Sequence, residues 1–80
     1  MGSKLSDNDL HLDLKGLKCP LPVLKARKAM SRLSSGARIS IEATDPLATI
    51  DIPHFCKEAG HRLLSQEVDG ELSRFVIEKG

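Results

Sequence analysis

The stretch Leu10-His11-Leu12-Asp13-Leu14-Lys15-Gly16-Leu17-Lys18-Cys19-Pro20-Leu21-Pro22-Val23 decides how this chain folds. Leu10, Leu12 and Leu14 alternate with polar residues, the period of a strand with one buried face. Gly16-Leu17-Lys18 breaks the alternation. Cys19-Pro20-Leu21-Pro22 then opens a helix, where a proline's missing N–H would have had no intrahelical acceptor anyway. A residue before proline is pushed out of the helical region, so Cys19 is predicted to be the N-cap. Val23, Ala26, Ala29, Met30 and Leu33 recur on one face of that helix. Ser34-Ser35-Gly36 is expected to end it, with Gly36 as a left-handed cap.

Outward from this unit the pattern repeats. Ile39, Ile41 and Ala43 alternate with Ser40 and Glu42 in a second strand, which Thr44-Asp45-Pro46 stops. A second helix is predicted from near Asp51, with Asp51 as its cap and Pro53 in its first turn. Its apolar stripe is Ile52, Phe55, Cys56 and Ala59, and Gly60 stops it. Leu63–Val68 and Leu72–Lys79 read as a hairpin around Asp69-Gly70. The order is strand, helix, strand, helix, strand, strand. Strict alternation in the first two strands keeps one sheet face wet, so both helices must cover the other. The predicted class is α+β: a two-layer α/β sandwich, βαβαββ, with a mixed four-stranded sheet and two helices on one face. Residues 1–9 are expected to be a flexible N-terminal segment and 10–80 a single domain.

Composition narrows the function. With 80 residues the core is modest, and it must be aliphatic because Phe55 and Phe75 are the only aromatics. A net charge of +1, with 29% charged residues, leaves no electrostatic footprint for nucleic acid or an anionic membrane. No apolar run is long enough to span a bilayer. Met1–Asp9 is polar and lacks the apolar middle of a signal peptide, which predicts a cytoplasmic protein. Cys19 and Cys56 are then expected as free thiols rather than a disulfide. A zinc site is disfavoured: His54, Cys56, His61 and Cys19 do not cluster, and on a helix His54 and Cys56 point apart. No metal is expected.

The candidate site is Cys19. If the first two strands are parallel and joined by a helical crossover, chemistry gathers beyond their carboxyl ends. Cys19 follows the first strand and Asp45 the second, so both are predicted at the same end. A helix N-terminus favours an anion, and Lys18 adds a positive charge, so the thiol pKa is expected to fall below its ordinary value. Pro20 and Pro22 remove two amide donors but present the sulfur rigidly. Against this, Cys19 could simply be a small cap, although Ser, Thr, Asp and Asn are the favoured caps. Cys56, on the apolar stripe, reads as an inert core residue. Asp45 either orients the loop or a partner group, or only shapes a turn. His11 and His61 read as surface residues, and His54 as lying at a helix start.

The outer side of the first helix holds Lys25, Lys28 and Arg32. Its charge alone signifies solvation. Leu21 and Leu24, off the apolar stripe and next to the thiol, make Leu21, Leu24, Lys25 and Lys28 a candidate partner surface.

Gly16-Leu17-Lys18-Cys19-Pro20-Leu21-Pro22-Val23 resembles the Cys-Pro-x-Pro signature of the TusA/SirA/YedF-like sulfur carriers. Leu12-Asp13-Leu14-Lys15-Gly16 and Asp45-Pro46 are similar to that family too. Asp51-Ile52-Pro53-His54-Phe55-Cys56 and the Asp69-Gly70 turn resemble its TusA-type branch. The resemblance covers roughly residues 10 to 79. It implies a persulfide on Cys19, held covalently with no separate cofactor, in a sulfurtransferase-type carrier rather than a stand-alone turnover enzyme. It implies a cysteine desulfurase as donor and a sulfur-relay acceptor protein, serving tRNA 2-thiouridine synthesis or else molybdenum-cofactor or sulfur-oxidation pathways. The carrier is expected to be a monomer when free, without direct nucleic-acid binding.

Two other functions compete on the residues alone. A thiol redox module would need a resolving thiol near Cys19, and Cys56 on the core stripe is badly placed. An RNA-binding or regulatory domain would want stacking aromatics and a basic groove.

Overall fold

The computed structural model describes residues 9–80, beginning with β1 (Asp9–Leu14). Apart from Asp9, the segment expected to be flexible over 1–9 lies outside the described residues. β1 pairs in parallel with β2 (Arg38–Ala43), so the chain between them must cross back, and α1 (Leu21–Met30) makes that crossing. α2 (Ala48–Ala59) follows, then β3 (Arg62–Asp69) and β4 (Leu72–Glu78). The sheet order is β1-β2-β4-β3, with β4 antiparallel to both neighbours. This is the expected βαβαββ mixed sheet with two helices.

Alternation sorts the faces as predicted. Leu14, Ile39, Ile41, Ala43, Phe75 and Ile77 are buried under Ala26, Met30, Ile52, Phe55 and Cys56 of the helices. The opposite face carries ions: Glu42 accepts from Lys15 Nζ at 3.2 Å and from Arg74 Nε at 3.2 Å. Those two partners hold the Glu42 carboxyl below its usual range. A depressed carboxylate stabilises above its unfolded pKa and loses that contribution as pH falls through its folded one. The contribution is small for so exposed a cluster.

Several local expectations are corrected. The hairpin pairs Asp69 with Leu72, so its two turn residues are Gly70 and Glu71, one position later than expected, with Gly70 at φ 63°. The register also slips between Leu63 and Ser65, a bulge at Leu64 that no turn residue announced. Gly36, at φ 91°, shapes the loop before β2 rather than capping α1, which ends five residues earlier, at Ser31. That end is closed by Lys79, whose Nζ donates to the Met30 carbonyl at 2.7 Å.

α2 begins at Ala48, before the expected Asp51. Asp45-Pro46 both ends β2 and starts the next helix: the Asp45 carboxylate accepts the Leu47 N–H at 3.1 Å, and the Asp45 carbonyl accepts the Ala48 N–H at 2.9 Å. Pro53 therefore lies inside the helix, where it removes a bond to the Thr49 carbonyl. Gln66 Nε2 donates to that carbonyl at 3.2 Å instead, which keeps the acceptor satisfied and ties α2 to β3. Gly60, in the left-handed region at φ 81°, ends α2 as predicted. Ala59, counted with the apolar stripe, is exposed, because the stripe turns out of the core at the last turn.

Candidate functional site

Parallel pairing sends the loops after β1 and β2 out of the same end of the sheet, and side chains from one hold the other. The Gly16 N–H donates to Thr44 Oγ1 at 3.0 Å. The Cys19 N–H donates to Asp45 Oδ2, while Asp45 Oδ1 takes the Leu47 N–H. Asp45 is thus the staple between the two loops, with each carboxylate oxygen committed to a different one. Cys19 and Asp45 are brought together as the topology predicted.

α1 starts at Leu21 with Pro20 as its N-cap, so Cys19 stands one residue outside the helix instead of capping it. The Cys19–Pro20 peptide is cis. The Leu21 N–H donates to the Lys18 carbonyl at 2.8 Å and is not available to the sulfur. The thiol has another partner. The earlier start of α2 moves Asp51 into that helix's first turn, facing Cys19, and Cys19 Sγ donates to Asp51 Oδ2 at 3.1 Å.

This contact overturns the expected direction of the thiol pKa. It is raised, first by the hydrogen bond to Asp51, then by desolvation and by the charges of Asp51 and Asp45. A carboxylate that accepts the S–H proton favours the neutral thiol, and two nearby negative charges oppose the thiolate. The field expected from the α1 terminus is blunted because Pro20 and Pro22 bring no N–H and Leu21's is spent. Lys18 is exposed, and the side chains that hydrogen-bond Cys19 are the two aspartates, Asp45 at its amide and Asp51 at its sulfur.

Cys19 lines a cleft of about 240 Å³ between the helices, together with Pro20, Val23, Arg27, Asp51, His54, Phe55 and Glu58. The Arg27 guanidinium sits 5.0 Å from the centre of the Phe55 ring. His54 Nε2 lies 3.3 Å from Glu58 Oε2, one turn on. His54 is therefore in the middle of α2, not at its start. His61, expected on the surface, is half-buried with its ring edge-on to Phe55 at 5.4 Å between centroids. Burial, followed by the charges of Lys79 and Arg27, pushes its pKa down.

Of the sequence candidates, Leu21 and Leu24 are 43% and 52% exposed, and Lys25 and Lys28 are exposed beside them. Pro22 is buried and anchors the loop to the core. Cys56 is buried among the helix-facing core residues, and the thiols are separate. The cleft itself was missed. Asp51, His54, Phe55 and Glu58 recur at three- and four-residue spacing along one side of α2, and Val23 and Arg27 do so on α1. That semi-polar stripe bordering the apolar one was the available signal. Among the described residues, no group of three or more His, Cys, Asp or Glu is placed to hold a metal, and no helix is long and apolar enough to cross a membrane.

Asp51→Asn tests the electrostatics. Removing the charge shifts the alkylation profile of Cys19 to lower pH, and at neutral pH the thiol reacts about threefold faster or more. The buried Cys56 is the internal control. A profile that stays in place would show that Asp51 does not hold the proton.

Comparison with known proteins supplies a further observation. Residues 11–79 match the family model described as sulfurtransferase TusA. YrkI of Bacillus subtilis is 42% identical over 73 residues, covering 91% of this chain and 97% of that one. The sulfur carrier protein TusA of Allochromatium vinosum is 39% identical over 75 residues, covering 94% and 99%. The crystal structure of a SirA-like protein from Desulfitobacterium hafniense superposes with a TM-score of 0.77, covering 89% of this chain and 97% of that one, at 22% identity. That likeness bears on the fold alone.

Proposed function

We propose that this chain, which belongs to the TusA/SirA family of sulfur carriers, accepts sulfur as a persulfide on Cys19 from a cysteine desulfurase and hands it to an acceptor protein. The observation that carries the reading is the exposed thiol on a stapled rim loop, open to a second protein from outside. The acceptor we favour belongs to a relay ending in tRNA 2-thiouridine. Molybdenum-cofactor synthesis and sulfur oxidation are the other destinations for the same chemistry.

Loading follows from thiol chemistry. The Cys19 sulfur attacks the outer sulfur of the donor's cysteine persulfide. The donor's S–S bond breaks, its electron pair stays on the donor cysteine, and a new S–S bond forms on Cys19. The proton on Cys19 must leave first, and the Asp51 carboxylate already accepts from it. A raised pKa keeps the resting thiol protonated and poorly nucleophilic, which protects an exposed carrier between encounters. A docking partner that draws Asp51 away would release the thiolate where it is wanted. Delivery is the same exchange in reverse, with the acceptor's thiolate attacking the outer sulfur.

The test is intact mass. Incubation with cysteine and a cysteine desulfurase should add one sulfur atom, which reductant removes. A redox module would instead form sulfenic acid with peroxide and take up no sulfur from the desulfurase. Leu21 and Leu24, exposed in the first turn of α1, are the proposed partner contacts, with Lys25, Lys28 and Lys18 at their margin. Leu24→Glu should slow loading by about tenfold, since it sets a charge against an apolar contact worth on the order of 1–2 kcal/mol, and leave the unfolding midpoint in place. Unchanged loading would remove Leu24 from the interface.

A further inference from the structure

We propose that Arg27 is the positioning residue for the loaded state: the outer sulfur of the Cys19 persulfide turns away from Asp51 and lies in the inter-helix cleft against the Arg27 guanidinium. The inference rests on the carrier reading above and adds the place where the sulfur sits. The unloaded thiol bonds Asp51 because it has a proton to donate. A persulfide is more acidic than a thiol, and its ionised end has nothing to offer a carboxylate. The added S–S bond carries that anionic end about 2 Å further out, and both Asp51 and Asp45 repel it.

The cleft offers one alternative. Its lining brings Cys19 and Arg27 to the same space, with Val23 and Phe55 as apolar walls. Arg27 is held with its guanidinium at 5.0 Å over the Phe55 ring. Among the described residues, no carboxylate lies within ion-pair distance of it. The other titratable groups facing the cleft are Asp51, Glu58 and His54 on α2, and Glu58 is 3.3 Å from His54. Asp45 and Lys18 belong to the rim loops, and Asp45 is committed to the Cys19 and Leu47 amides. Arg27 is therefore the cleft cation with donors to spare, and a guanidinium on an aromatic face is a suitable cradle for a soft anion. The unloaded thiol is turned to Asp51 instead, so Arg27 is placed to act on the persulfide rather than on the thiol.

The experiment loads the full chain with inorganic polysulfide, so that no partner protein is needed. Cys19 attacks the terminal sulfur of the polysulfide, the S–S bond to that sulfur breaks, and the polysulfide shortened by one sulfur leaves with the electron pair. The persulfide is then alkylated for short times across a range of pH and counted by intact mass. Arg27→Met keeps an apolar stem over Phe55 and removes the charge. It should move the persulfide profile to higher pH and slow its alkylation about threefold at the acid side of the midpoint. Arg27→Lys should restore most of the loss, and the profile of the unloaded thiol should stay where it is in both variants. A purely structural role for Arg27 would move thiol and persulfide together. Persulfide profiles that coincide in wild type, Arg27→Met and Arg27→Lys overturn the placement and leave the carrier reading intact. If wild type takes up no sulfur from either polysulfide or the desulfurase, both readings fall.

Discussion

Cys19→Ser remains folded and gains no sulfur under conditions in which the wild type gains one atom. Loading falls to nothing rather than by a factor, because a serine oxygen cannot form the S–S bond that carries the cargo. The fold should not notice. Cys19 is exposed, contributes nothing to the core, and its replacement still offers a donor for Asp51, so stability changes by no more than about 0.5 kcal/mol. Cys56→Ala is the matching control. Cys56 is 2% exposed and burial pushes its thiol pKa up, which makes it both unreachable and unreactive. That variant should load fully while unfolding somewhat earlier. Sulfur found on Cys19→Ser, by intact mass after incubation with desulfurase and cysteine, would show that the cargo travels elsewhere.

Phe75→Ala should come close to unfolding the protein. Phe75 is fully buried on β4, which lies between β2 and β3, and it pairs across the sheet with Ile41 and Gln66. Truncating such a side chain costs about 3–5 kcal/mol through lost transfer energy and the cavity left behind. A domain of this length has about 4–12 kcal/mol to lose. No other buried aromatic can move in to fill the space, since the only one is Phe55, fixed on α2. Urea unfolding followed by far-UV circular dichroism should show a midpoint far below wild type, or no native baseline at all. Phe75→Leu, which keeps most of the volume, should keep the fold and lose roughly 1–2 kcal/mol. Val68→Thr, at 59% exposure on the edge strand, is the neutral comparison. An unchanged midpoint in Phe75→Ala would mean that the sheet does not depend on this layer.

The asymmetry between the two readings of Asp51 shows where sequence reasoning stopped. As a single polar residue before an apolar stripe, Asp51 looked like a cap. What changed its role was the Asp45-Pro46 pair, whose stop signal for β2 was legible while its second job, starting α2, was not. A helix that begins three residues earlier turns Asp51 by most of a revolution, and the carboxylate arrives at the thiol. Lys18 illustrates the reverse error: adjacent to Cys19 in the chain, it is exposed, while the side chains that hydrogen-bond Cys19 lie 26 and 32 positions away.

Local pattern by itself determined the element order, the sheet's wet and dry faces, the exposed Cys19 and the buried Cys56, because period, proline and glycine act within a few residues of where they are written. Only the tertiary structure decided the sign of the thiol's pKa and the existence of the cleft that holds Arg27. Both depend on how two loops and two helices approach across the parallel pair β1 and β2, and electrostatic influence follows distance through space rather than separation along the chain.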